Sequence, residues 1–270
     1  MTSHDAVALA RRALGTRRIG HTGTLDPFAT GLLVLLAGRA TRLARWASGE
    51  PKVYEATVRF GAATDTDDAT GTVTASAPVP GLDAIEAALP RLTGTIAQRP
   101  PAYSAKQVAG VRAYDAARAG EPLELAPAQV EVHRWEILGW APPDLRVRIT
   151  CGGGTYIRAL ARDLGALTGS AAHLVALRRL RSGAFDVSDA VPAGALDAES
   201  AVRPLRDAVP ALLPVHLDAG AAARVRHGNP VAAPGAEPGP AALLDDSGEL
   251  LAIAEREGER WCPRTVLVEG

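Results

Sequence analysis

Lysine is nearly absent from this chain: among 29 basic residues in 270, only Lys52 and Lys106 are lysine, and the rest are arginine. Positive charge therefore comes almost entirely as planar guanidinium, suited to bidentate contact with carboxylates and phosphates. Cysteine is equally scarce. Cys151 and Cys262 stand far apart with no CxxC, which excludes a disulfide framework and a zinc ribbon. Aromatic residues make up 4%, so the core must be built mainly from Ala, Leu and Val. The longest strongly apolar run, Gly31 to Gly38, is too short to span a bilayer, and the opening MTSHDAVALARR lacks the apolar segment of a signal peptide. The six histidines show no HExxH or HxH spacing, which leaves a metal site without support. A GxSxG elbow for an acyl-transfer serine is also missing. What remains is an ordinary globular composition, 47% hydrophobic and 22% charged, long enough for one large domain and a small one. A reduced, cytoplasmic protein is expected.

The formal charge of −1 hides an uneven distribution. Residues 1–49 carry seven arginines against two aspartates, net +5, and residues 144–186 carry seven arginines against three aspartates, net +4. Residues 241–260 hold six acids against two arginines, net −4. If the two basic blocks meet in space, they make a surface able to hold a phosphate backbone; otherwise they are solvated helix faces.

Hydrophobic spacing predicts a helix capped by Ser3, with Val7, Ala10 and Leu14 on one face, ending near Gly15. Leu32–Ala37 reads as a short buried helix. Val53–Phe60 alternates, with Tyr54, Ala56, Val58 and Phe60 on one side, and predicts a half-buried strand stopped by Gly61. A polar turn at Thr64–Gly71, a further strand, and a helix at Asp83–Leu89 broken by Pro90 follow. Gln98–Lys106 should be an extended loop, because its two prolines exclude helix. Gln129–Leu138 and Leu145–Cys151 read as paired strands, then a helix from about Tyr156 to Leu167, and strand again near Leu174–Phe185. The Pro- and Gly-rich segment Asn229–Pro240 is not expected to hold a packed element. Short runs at Ala241–Leu244, Leu250–Ala254 and Thr265–Val268 predict a small C-terminal β unit. The whole reads as α+β, with a mixed or antiparallel sheet and flanking helices.

Three motifs invite chemistry. CGGGTYIR (Cys151–Arg158) leads from a strand through glycines into a helix, but it has neither a Walker ending nor a dinucleotide fingerprint, so it reads as a tight connection. TDTDD (Thr64–Asp68) gathers three carboxylates but fails the EF-hand pattern, because Thr70 stands where glycine is required. GHTGTLDPFATG (Gly20–Gly31) is richer. Asp26-Pro27 is a common helix start, yet Thr22, Gly23 and Thr24 add polarity and backbone freedom beyond what a cap needs. From the residues alone, Asp26 reads either as a cap or as a carboxylate aimed into a nucleic-acid groove.

GHTGTLDPFATG, KVYEA (Lys52–Ala56), TDTDDATG (Thr64–Gly71), PPAYSAK (Pro100–Lys106), GTYIRALARDLG (Gly154–Gly165) and AHLVALRRL (Ala172–Leu180) occur in an order that resembles the TruB family of tRNA pseudouridine synthases. The resemblance covers roughly Thr2 to Phe185. It implies a pseudouridine-synthase-like fold that isomerises a uridine in the T loop of tRNA, at position 55, without cofactor or metal. On this likeness Asp26 matches the catalytic aspartate and Arg158 the arginine that pairs with it. That role suits an arginine, which stays protonated and fixes the orientation of the carboxylate. Tyr54 matches the tyrosine that stacks on the target base and assists proton removal. Tyr156 and Leu177 match residues lining the uracil pocket, and His21 matches the histidine that holds the T loop open with its base extruded. Extrusion is required because a stacked base cannot reach a buried group.

The resemblance further implies a catalytic domain over residues 1–205 and a small PUA-like β domain over 212–270, the latter matched only loosely and acidic at 241–260. Family members carry upstream residues of the type D-K-P-x-G-x-T-S, whereas this chain opens at Met1-Thr2-Ser3-His4. A strand of about a dozen residues is therefore expected to be missing. The implied partner is the tRNA T arm, with no membrane and no protein partner required, and the expected state is a monomer. The alternative from another class is a tRNA-binding or folding chaperone that does not need the chemistry. An Asp26→Asn substitution separates the two.

Overall fold

The computed structural model describes residues 1–267 except 48, 105, 109, 122, 199, 201 and 236–238. Contacts divide the chain into two compact units that do not follow chain order: Met1–Leu25, Leu33–Ser48 and Asp189–Gly270 in one, Asp26–Leu32 and Gly49–Ser188 in the other.

The second unit is built on a seven-stranded sheet. Lys52–Phe60 lies between Ala172–Ser182 and Asp144–Cys151, both antiparallel to it, and Ala128–Ala141 and Gly94–Gln98 extend the sheet on one side. On the other side Phe185–Asp186 folds back on Ala172–Ser182, and Thr30–Gly31 adds a parallel pairing, which makes the sheet mixed. The expected alternation holds. Tyr54, Ala56, Val58 and Phe60 are buried and pair with Ile149, Val147 and Leu145 across one neighbour and with Leu177 and Leu174 across the other. The amphipathic helix Ile157–Leu167 closes this face with Ile157, Leu160, Ala161 and Leu164, and Leu82–Ala88 adds Ile85 and Ala88. A register shift between Leu174 and Ala176 lets both Leu174 and Leu177 face the core despite their odd spacing.

In the first unit, the helix Ser3–Ala13 is capped by Thr2 rather than Ser3. Thr2 and Asp5 form a reciprocal capping box, and the Ser3 hydroxyl is committed instead to the backbone of Leu25. Leu32–Ala37 is not the expected helix. Leu35–Ala37 pairs antiparallel with Ile19–His21, and Leu32, Val34 and Leu36 are buried while the residues between them are half-buried. That is strand periodicity, and pairing decided a run too short to reveal its period.

A five-stranded sheet orders Leu213–His216, Pro240–Leu244, Leu250–Glu257, Arg260–Val266 and Val231–Ala232. Both of its faces are covered. Ala241, Leu243, Leu251 and Trp261 pack with Ala222 and Val225 of the helix Ala219–Arg226, which Asp218 caps. Ala242, Leu244, Leu250 and Ile253 share a second core with Leu36, Leu43, Ala47 and Val209, which is why 33–48 groups with the C-terminal residues. Asn229–Pro240 does hold a packed element: Val231–Ala232 pairs with Arg260 and Trp261, and Val231 and Ala233 are buried. Ala105, residues 236–238 and Val268, which fall within segments read above as a loop, a linker and a strand, lie outside the described residues. Among the described residues, no helix is long and apolar enough to cross a membrane.

Candidate active site

Asp26 starts a turn, not a helix: its carbonyl accepts from the Ala29 amide at 2.9 Å and no helical residue follows. The capping role is thereby excluded. Five residues after Asp26 the chain must pass close beside the Ala172–Ser182 strand. Gly31 has φ +95°, and a Cβ there would overlap the Arg179 carbonyl oxygen. Only glycine tolerates both conditions. Leu32 then exchanges two bonds with Arg179, its amide donating to the Arg179 carbonyl and its carbonyl accepting from Arg179 Nε, each at 2.8 Å. The Asp26 turn is thus stapled to a central strand.

Arg158 meets Asp26 from the first turn of the helix Ile157–Leu167. Its Nε donates to Asp26 Oδ2 at 3.0 Å and its Nη2 to Asp26 Oδ1 at 2.7 Å. Nη2 also donates to the Tyr103 carbonyl and Nη1 to the Thr66 carbonyl, both at 2.8 Å, while Asp68 Oδ2 lies 3.6 Å from Nη1. Four of the five guanidinium N–H groups are thus hydrogen-bonded. A cation is disfavoured by the dipole at a helix N-terminus, and two carboxylates compensate it here. The arginine side chain is 4% exposed and that of Asp26 29%, so the arginine is sealed in while the carboxylate keeps an open side.

The polar turn Thr64–Gly71 builds the wall behind Arg158. Asp68 accepts from the Thr66 and Thr70 hydroxyls and the Thr70 amide, and Thr64 Oγ1 donates to the Asp68 carbonyl. Asp65 accepts from the Thr72 amide, and Asp67 faces Arg162. The three carboxylates diverge, and among the described residues no group of His, Cys, Asp or Glu is arranged to hold a metal.

Tyr54 lies on the core face of its strand, 7% exposed. Burial pushes its phenol up, the nearby positive charge of Arg179 pulls the other way, and the Asp26 charge pushes it up further. Tyr156 caps the helix that carries Arg158. Its amide donates to Gln98 Oε1 at 2.8 Å and its carbonyl accepts from Gln98 Nε2 at 3.1 Å, fixing the backbone beside Arg158. Burial raises the Tyr156 phenol as well. Leu177 lines a cleft of about 330 Å³ together with Phe28, Thr30, Ala56 and Arg178.

Asp26, Arg158, Tyr54, Tyr156 and Leu177 all lie in this unit. Arg158 bonds Asp26 directly and the Asp26 charge acts on both Tyr54 and Tyr156, whereas the cleft that Leu177 lines includes none of the other four. His21 belongs to the other unit, half-buried at the end of Ile19–His21 opposite Leu35. The family resemblance places the TDTDD turn with Asp68 in the catalytic cleft with its role open; the carbonyls of Thr66 and Tyr103, and Arg179, whose side chain is among the most deeply buried, are not among the expected residues. A signal for Arg179 was present: it lies two residues beyond Leu177 in a strand, hence on the same face.

Comparison with known proteins agrees along the whole length. Residues 11–157 match the family described as TruB family pseudouridylate synthase (N terminal domain), 158–212 the tRNA pseudouridylate synthase B C-terminal domain, and 214–268 the tRNA Pseudouridine synthase II, C terminal. A relative from Thermobifida fusca, named tRNA pseudouridine synthase B, is 48% identical over 94% of this chain and 90% of its own. Another of the same name, from Thermus thermophilus, is 42% identical over 100% of this chain and 96% of its own. A solved structure described as the archaeal box H/ACA sRNP Nop10-Cbf5 complex superposes with TM-score 0.74 at 25% identity, covering 99% of this chain and 83% of that one.

Proposed function

Because this chain belongs to the TruB family and is a tRNA pseudouridine synthase, we propose that Asp26 is its nucleophile and that the target is the T-loop uridine at position 55. Asp26 attacks the extruded nucleoside and the N1–C1′ bond breaks. The uracil then turns, C5 bonds to C1′, and the bond to Asp26 breaks, which frees the carboxylate. The hydrogen on C5 leaves as a proton and N1 gains one, so the product is an isomer and no external reactant is consumed. Tyr54 stacks on the base and assists removal of the C5 proton. Tyr156 and Leu177 line the uracil site. His21 holds the T loop open, and aromatic and apolar faces compensate the lost base stacking. In this reading residues 1–205 carry the chemistry and 212–270 form a small PUA-like unit.

One observation carries the reading: a carboxylate held at both oxygens by a sealed arginine, yet open on its other side. Such a group is preorganised toward a substrate and needs no reorganisation at the moment of attack. The test is Asp26→Asn, which keeps the shape of the side chain and removes its charge. Loss of isomerisation with tRNA binding within a few-fold of the parent supports the proposal. Retained turnover refutes it, and lost binding moves Asp26 from the chemistry to recognition.

A further inference from the structure

Arg158 donates two of its bonds to carbonyls on segments that are not helix or sheet: Thr66 in the turn Thr64–Gly71, and Tyr103 in the loop after Gln98. Arg162 stands four residues on, hence on the same face of the same helix. It ties down the same two segments a second time. Its Nη1 donates to Asp67 Oδ2 at 3.0 Å and its Nη2 to the Arg99 carbonyl at 2.9 Å, while Nε is held by Asp163 at 2.9 Å. Each segment therefore receives one bond from each arginine, the turn at 66 and 67 and the loop at 103 and 99. The loop needs this, because Pro100 and Pro101 have no N–H to anchor it.

Asp67 bears this out from its side. It sits at φ +59° with a side chain 13% exposed. Glycine meets that backbone geometry at lower cost, and burial pushes the Asp67 carboxyl up while Arg162 opposes the shift. A half-buried charge at a position that favours glycine is accounted for by what its side chain holds.

We infer that Arg162 and Asp67 are positioning residues for the reaction: they fix the two carbonyls that orient Arg158, and through it the Asp26 carboxylate. The inference rests on the reading of Asp26 as the nucleophile. Neither residue touches the reacting atoms, so their removal acts on turnover and not on tRNA affinity.

The test compares Arg162→Met, Arg162→Lys, Asp67→Gly and the double variant Asp67→Gly/Arg162→Met with the parent and Asp26→Asn, measuring single-turnover rate, tRNA affinity and melting temperature. Arg162→Met and Asp67→Gly are each expected to slow the reaction about 10- to 100-fold, the size of a sub-ångström misplacement of a reacting group, with affinity within about threefold. Arg162→Lys, which can keep one of the two ties, is expected to recover part of the rate. The double variant should fall no further than the slower single, because the pair acts as one unit. Parent-like rates in Asp67→Gly overturn the inference even if Arg162→Met does not fold. Weakened affinity at an unchanged rate also overturns it, assigning Arg162 to phosphate contact. If Asp26→Asn stays active, the nucleophile reading fails instead, which is a separate outcome.

Discussion

Arg158→Lys keeps the positive charge and changes only the shape of the group that carries it. The guanidinium serves four acceptor atoms at hydrogen-bond distance, two on Asp26 and one each on Thr66 and Tyr103, with Asp68 beside it. An ammonium offers three donors from a single atom and cannot bridge both carboxylate oxygens while reaching two carbonyls on opposite sides. At least one carbonyl and one carboxylate oxygen lose their partner. Leaving a buried acceptor unpaired costs about 1–3 kcal/mol, and a bond to a charged group contributes about 1.5–3 kcal/mol. The combined loss of roughly 3–6 kcal/mol divides between stability and turnover. If about half falls on the transition state, where the carboxylate must be correctly aimed, the rate drops by roughly one to two powers of ten at 1.36 kcal/mol each. The assay is release of the C5 hydrogen from uridine-labelled tRNA in single turnover, with affinity by filter binding and a melt in parallel. A stable, binding-competent Arg158→Lys within about threefold of the parent rate would refute the argument that bidentate geometry, beyond charge, is what this site requires.

Gly31→Ala forces a side chain into a left-handed backbone position and against the Arg179 carbonyl; strain and overpacking together should cost about 2–5 kcal/mol, read as a lower urea midpoint, and a neutral effect would contradict the close approach. Tyr54→Phe keeps the ring but removes the hydroxyl that lies in the field of Arg179; binding should be unchanged and the single-turnover rate should fall about 100-fold if the phenol takes part in proton transfer, whereas an unchanged rate restricts Tyr54 to stacking. Cys151 is fully buried and its thiol is pushed up to about 11 by that burial, so mass spectrometry after alkylation of native protein at pH 8 should find Cys262 labelled and Cys151 labelled only after unfolding. Arg59 hydrogen-bonds Asp144 and holds its carboxyl below the ordinary 3.8. That pair stabilises the fold fully above this value and less as pH falls through the lowered one. Asp144→Asn should therefore cost under about 1 kcal/mol at pH 7, a deficit that shrinks in urea melts at pH 3.

Much of the fold was legible because its strands and helices carry a clear period. The alternation of Val53–Phe60 and the stripe that places Leu160 and Leu164 on one helix face follow from which side meets the core. The misread parts are those where several structures satisfy the same residues. Leu32–Ala37 is six apolar residues between glycines, and sheet pairing decided it; Asp26-Pro27, open on its residues alone between a cap and a functional carboxylate, was decided by the turn and the Arg179 staple. Thr64–Gly71 was readable as a turn, and its Thr and Asp side chains do bond locally. That its outward groups would meet Arg158 and Arg162 depends on a helix some ninety residues away in sequence. Asp26 and Arg158 are separated by 132 residues, so family likeness pointed to the pair where spacing could not. The Arg162 brace had no signal in the sequence reading, since an arginine on a helix exterior looks like a solvated charge.

The central claim, that one arginine-held carboxylate isomerises a single T-loop uridine, is tested most directly by incubating parent and Asp26→Asn proteins with an unmodified tRNA transcript at matched bound fraction and mapping pseudouridine by chemical labelling. One labelled site, at position 55, is expected with the parent and none with the variant. Label at that site with Asp26→Asn, or label with the parent only at other positions, would contradict the claim.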